Sequence, residues 1–166
     1  MVANQPPYSM AGDKMKIQFN LNGKKLTVEV DPDKPLLFLL RNHLGINGPK
    51  YGCGLGQCGA CRVLIDDQAQ NSCVLPASAA AGKQIVTLKG LTEKENLHPV
   101  QKAFIEEQAA QCGYCTNGMI ISATALLKTN PNPNEQEIKM ALQNNLCRCG
   151  TQSRVIRAVK RAAQNG

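Results

Sequence analysis

Polar and apolar positions alternate from Lys16 to Val30. Ile17, Phe19 and Leu21 share one side, Asn22-Gly23 interrupts, and Leu26, Val28 and Val30 resume the alternation. Period-two patterning on both sides of Asn-Gly predicts a β-hairpin, because that pair accepts the positive φ angles of a tight turn. The Leu-rich stretch that follows predicts a helix with Pro35 at its first position and Gly45 at its end. Further on, "CRVLIDD" reads as a strand with a turn near Asp66-Asp67, "NSCVL" as a short extended piece, and "KQIVTL" (83–88) as a last strand.

Beyond Gly90 the period lengthens to that of helices. Four are predicted: residues 99–110, residues 116–128 stopping before "NPNP", a segment from Asn134 to about 144 opened by an Asn134/Glu137 capping box, and one from about Gln152. Helices of similar length suggest a compact bundle. The chain is therefore expected to be α+β: a polar tail over 1–14, a mixed region over 15–90 and a helical bundle over 91–166, with the change of character near 89–97.

Eight cysteines in 166 residues are the next feature to explain. The opening residues hold no apolar core of a secretory signal, and the apolar run 119–127 is too short to span a bilayer. A cytoplasmic chain is the expectation, and thiols in a reducing compartment stay free unless they bind metal.

Cys53, Cys58, Cys61 and Cys73 stand in the pattern C-x4-C-x2-C-x11-C, the spacing of plant-type 2Fe–2S ferredoxins. Three thiolates from one loop must converge on two irons, and Gly52, Gly54, Gly56 and Gly59 supply the turns and let N–H groups approach the sulfurs. Zinc sites more often use two short hooks, and this block lacks the second. Cys112, Cys115, Cys147 and Cys149 do form two hooks, C-x2-C and C-x-C. Spacing alone leaves a second iron–sulfur cluster, zinc or a redox dithiol open there. Both hooks fall at predicted helix ends, where helix N-termini would face a negative cluster.

The formal charge of +7 would ordinarily suggest nucleic acid. Each oxidised 2Fe–2S cluster with four thiolates carries two net negative charges, which offsets much of that excess. No aromatic-interleaved basic stripe is present, so no nucleic-acid partner is expected. "GLGQCG" is a cluster loop and not a strand-to-helix phosphate turn. His43 and His98 are read as structural, Tyr51 and Tyr114 as packing that shields sulfur, and Arg148 as an interface residue. Arg154, Arg157, Lys160 and Arg161 read as a solvated helix face that also complements the helix's negative end or meets an acidic partner.

Taken together, "YGCGLGQCGAC", "SCVLP", "HPVQKAFIEEQAAQCGYCTNGM" and "NLCRCGT" resemble, in order, the small iron–sulfur subunit of the xanthine oxidase family of molybdenum hydroxylases. The likeness runs from about Met15 onward, and the "CRCGT" ending is similar to the two-component bacterial branch of isoquinoline oxidoreductase, nicotinate dehydrogenase and aldehyde dehydrogenases. Gln152-Ser153 departs from the aromatic residue expected after Thr151.

The resemblance implies a β-grasp ferredoxin-like domain followed by a four-helix-bundle domain, each holding one 2Fe–2S cluster. It implies that the chain is not catalytic alone but passes electrons from a large molybdopterin-binding subunit, with the cofactor expected in its cytosine dinucleotide form. An acceptor such as a c-type cytochrome or a flavin subunit would take them, during oxidation of an aldehyde or an N-heterocycle. The Cys112/Cys115/Cys147/Cys149 cluster would lie nearest molybdenum, with Gln111 and Cys149 close to the pterin. No membrane insertion is expected, although export on a partner's signal would carry the complex to the periplasm. The alternatives are a free-standing ferredoxin and a zinc-stabilised interaction module.

Overall fold

The computed structural model describes residues 13–92 and 96–165. Most of the tail expected over 1–14, and part of the transition near 89–97, lie outside the described residues.

Strands β1 (Met15–Leu21) and β2 (Lys24–Val30) form the predicted hairpin, with Asn22 and Gly23 at φ 52° and 79°. Asn22 also works at long range. Its Oδ1 accepts from the Thr87 N–H at 2.9 Å and its Nδ2 donates to Thr87 Oγ1 at 3.0 Å, across 65 residues of chain. With β3 (Arg62–Ile65), β4 (Gln68–Asn71) and β5 (Gln84–Val86), the sheet runs β2-β1-β5-β3-β4. The β1–β5 pairing is parallel, and β1–β2, β3–β4 and β3–β5 are antiparallel.

Two expectations need correcting. "NSCVL" is not extended: pairing ends at Asn71 and residues 72–74 turn. Ser72 is held away from the sheet, its carbonyl accepting from Leu37 N–H at 2.9 Å and its hydroxyl donating to Cys61 O at 2.7 Å. Pro35 precedes the Leu-rich helix and does not occupy its first position. That helix is α1 (Leu36–Phe38), widened into a π turn over Leu39–His43. Leu36, Leu37, Leu39 and Leu40 are all fully buried. A segment buried on several sides gains more from packing than from ideal hydrogen bonds, and the Leu39 carbonyl accepts from Leu44 N–H at 3.2 Å.

Consecutive residues of β3 point into different cores. Val63 joins Ile17, Phe19, Leu36 and Leu40 on the α1 face, while Leu64 joins the helical core with Val100, Ile121, Ile138 and Val159. Burial on both faces explains why "RVLI" shows no polar alternation.

The helical core is built by α2 (Pro99–Glu106), α3 (Thr116–Thr129), α4 (Glu135–Leu142) and α5 (Gln152–Gln164). The Asn134/Glu137 capping box forms as expected. His98 caps α2, its Nδ1 accepting from Val100 N–H at 3.2 Å, so its structural reading holds. Helix α2 stops short of residue 110, because Gln108 turns left-handed at φ 49°. On α5, Arg157 and Arg161 meet Glu107, and Lys160 meets Glu135 at 2.7 Å. The basic face is thus engaged with its own chain.

Lys139 and Lys160 hold the Glu135 carboxyl down to about 2. A depressed carboxyl stabilises the fold above its ordinary value of 4.5 and loses that contribution as pH falls toward 2. Glu135→Gln should therefore melt slightly below wild type at neutral pH, the gap closing as the pH approaches 2. Thermal unfolding across that range checks it, and the effect is small because the pairs are exposed.

Candidate functional site

All eight cysteines are free thiols, and they lie near one another in two groups of four, Cys53/Cys58/Cys61/Cys73 and Cys112/Cys115/Cys147/Cys149. In the first, the loop after Tyr51 curls around the Cys53 sulfur, which accepts from the N–H groups of Leu55 and Gln57 at 3.3 Å and of Cys58 at 3.4 Å. The Cys53 N–H donates to Cys58 Sγ at 3.4 Å. Cys61 and Cys73 are buried together against Leu37. Gly54, Gly56 and Gly59 take φ near +70° as expected. Gly52 serves differently: it is not left-handed, but a Cβ there would sit 2.6 Å from Cys58 Sγ. That glycine keeps room for a sulfur.

The second group joins two helix starts. Cys115 is the N-cap of α3, and Cys147 Sγ lies 3.2 Å from the hydroxyl of Thr151, the N-cap of α5. Cys112 lies near Cys149, and Cys115 near Cys147, close enough for each to bear on the other's ionisation. Cys112 is the exposed member of this group, and Gln111 beside it is exposed too.

Electrostatics divide each set. Burial opposes ionisation of Cys53, yet the three N–H donors outweigh it and hold the thiol down to about 7. Burial likewise opposes Cys147, which Thr151 brings to about 7. Cys61 and Cys115 are pushed up to about 12, first by burial and then by their neighbouring thiols. Cys53 and Cys147 therefore give up a proton readily, whereas Cys61 and Cys115 ionise only when a cation displaces theirs.

Among the described residues no three His, Cys, Asp or Glu side chains close around a single ion. A two-iron cluster divides four thiolates between two metals and does not require that. N–H groups aimed at sulfur, and a cradle that a Cβ would fill, fit such a cluster.

The two groups are tied together. Leu146, next to Cys147, donates its N–H to Cys58 O at 3.0 Å. The Tyr114 hydroxyl donates to the Tyr51 carbonyl, and the Tyr51 ring stacks on Phe38 at 5.7 Å. Both tyrosines are half exposed and pack one loop on the other. Arg148 is exposed between Cys147 and Cys149.

Sequence reasoning missed a buried polar cluster behind Cys61. Arg62 donates to Ser122 Oγ and to Asn145 Oδ1 (2.9 Å), and Asn117 Nδ2 donates to Arg62 O at 3.0 Å. A charged residue inside an apolar strand was the available signal.

A family model described as a 2Fe–2S iron–sulfur cluster binding domain matches residues 19–88, and one described as a 2Fe–2S binding domain matches residues 87–160. A nicotinate dehydrogenase subunit from Pseudomonas putida is 57% identical over 148 residues, 89% of this chain and 94% of that one. The structure of quinoline 2-oxidoreductase from Pseudomonas putida 86 superposes with a TM-score of 0.85 at 38% identity, over 93% of this chain and 99% of that chain. Aldehyde oxidoreductase from Desulfovibrio gigas matches with a TM-score of 0.86 at 39% identity, over 90% of this chain but 17% of that chain. With its mixed sheet, helical bundle and two cysteine groups, the chain belongs to the small iron–sulfur subunits of the xanthine oxidase family of molybdenum hydroxylases.

Proposed function

We propose that Cys53, Cys58, Cys61 and Cys73 hold one 2Fe–2S cluster and that Cys112, Cys115, Cys147 and Cys149 hold a second, nearer to molybdenum. The carrying observation is the gathering of eight thiols into two sets bridged by the Leu146 N–H to Cys58 O hydrogen bond. When bound, such clusters supply one-electron storage between the two-electron oxidation of a substrate and a downstream acceptor.

The chain's own residues do the rest. N–H groups of Leu55, Gln57 and Cys58 neutralise sulfur charge on the first set. The starts of α3 and α5 present their positive ends to the second. Gln111, exposed next to Cys112, would offer its amide to a pterin edge held by a large partner chain, with Cys149 near the same pterin. The exposed Leu146 and Arg148 would extend the partner's footprint.

The partner would bind molybdopterin, in its cytosine dinucleotide form, and oxidise an aldehyde or an N-heterocyclic aromatic compound. The names of the relatives, which act on nicotinate, quinoline and aldehydes, support that class. In Desulfovibrio gigas the matching module is part of a longer chain, as expected of a unit that works in contact with the catalytic part. The acceptor would be a c-type cytochrome or a flavin subunit. No helix among the described residues is long and apolar enough to cross a membrane. Cluster loading would take place in the cytoplasm, whether or not a partner's signal then exports the complex.

Metal analysis with EPR of the reduced protein tests the assignment. About four irons per chain, with two distinguishable 2Fe–2S signals, are expected. Zinc in either site would overturn that site's assignment. Purification from the native source should also recover a large molybdenum-containing chain.

A further inference from the structure

Arg62 opens β3 directly after Cys61 and is only 9% exposed. Its guanidinium is surrounded by neutral acceptors: Ser122 Oγ, Asn145 Oδ1 at 2.9 Å and Asn71 Oδ1 at 3.4 Å. Among the described residues no carboxylate pairs with it. A buried cation normally demands an anion, because neutral hydrogen bonds do not repay the loss of water around a full charge. The candidate anion is the cluster ligand Cys61, the preceding residue. Asn71 Oδ1 joins the two, lying 3.4 Å from Arg62 Nε and 4.0 Å from Cys61 Sγ.

We propose that Arg62 is a built-in counter-ion for the cluster of Cys53, Cys58, Cys61 and Cys73, and that its charge makes this cluster the preferred resting place of an electron. The proposal rests on the ligand assignment above. One electron entering that cluster, from the second cluster or from an added reductant, takes it from two net negative charges to three. No bond breaks and no proton moves, since arginine keeps its proton. A fixed positive charge in a water-poor site stabilises the more negative state, and does so more strongly than a charge in water. Arg148, the cation next to the second set, is exposed and therefore screened. The chain thus carries an electrostatic slope directed from the second set toward the first.

The test is a potentiometric EPR titration of the intact complex, in which a Cys115→Ala variant identifies the first cluster's signal. Arg62→Gln keeps hydrogen-bond donors but removes the charge. It should make the first cluster at least about tenfold harder to reduce, about 59 mV for one electron, and shift the second less. Ser122→Ala, which removes an acceptor and keeps the charge, should lower thermal stability and leave the first midpoint in place.

An unmoved first midpoint in Arg62→Gln, equal shifts of both signals, or a Ser122→Ala shift as large as that of Arg62→Gln would overturn the proposal. If Arg62→Gln fails to load clusters, the wild-type complex decides. Its first cluster must fill at the higher potential, and the reverse order overturns the proposal. Fewer than two 2Fe–2S signals in wild type would instead bring down the ligand assignment and the counter-ion with it. Two signals with an unmoved midpoint remove the counter-ion alone.

Discussion

Replacing Cys115 with alanine is expected to delete one of two 2Fe–2S signals, to lower iron from about four to about two per chain, and to end substrate-driven reduction of the surviving cluster. Cys115 is the N-cap of α3 and lies near Cys147, so its loss opens the second set at the point where its two hooks meet. Alanine offers no oxygen to replace the sulfur. The first set draws its thiols from residues 53–73, on a loop with its own N–H donors and glycine turns, and should assemble as before. EPR and iron analysis of the variant, followed by reduction with substrate and then with dithionite, give the result. Loss of both signals together would show that the two sets do not assemble independently. Substrate reduction of the survivor at the wild-type rate would place the second set off the electron path.

Gly118→Ala is expected to cost about 2 kcal/mol or more, a fall of roughly 4–8 °C in Tm. Within a helix this exchange normally helps, by up to about 0.5–1 kcal/mol at mid-helix and less in the first turn, where Gly118 lies. Here a Cβ on Gly118 would lie 2.0 Å from the Gly59 carbonyl oxygen and 2.8 Å from its carbon. Backbone cannot swing away as a flexible side chain would. The clash therefore outweighs the helix preference, and either α3 or the loop that presents Cys58 and Cys61 must move. Differential scanning calorimetry of the loaded protein measures the loss. A Tm at or above wild type would mean that α3 and the loop slide apart freely, against the close fit described here.

Local features could be read in advance wherever one short segment carried its own reason. The hairpin follows from alternation around Asn22-Gly23, and α4 follows from Asn134 and Glu137. The cysteine loop follows from its spacing and glycines, since each φ near +70° answers a turn demanded within a few residues. What escaped was set by contacts distant along the chain. Ser72 looks extended until Leu37 and Cys61 claim its carbonyl and hydroxyl. Gly118 looks like a weak point in a helix until Gly59 approaches it. Arg62 stands out in an apolar strand, but its burial appears only once β3 is covered on both faces, by α1 on one and α3 on the other. No neighbouring residue announces these partners, which lie 55–83 positions away for Asn117 and Asn145.

The parallel β1–β5 pairing has a kinetic consequence. The β1–β2 hairpin is local and can form within microseconds. The central pair joins strands on either side of the whole cysteine loop, and the Asn22–Thr87 clasp spans 65 residues. Contacts of such separation come late in folding, because the chain between them must be ordered before they return any free energy. The thiols of residues 53–73 lie in the stretch of chain that this pairing encloses, on the loop before β3 and in the turn after β4. Iron and sulfide would then reach them most easily before the Asn22–Thr87 clasp closes.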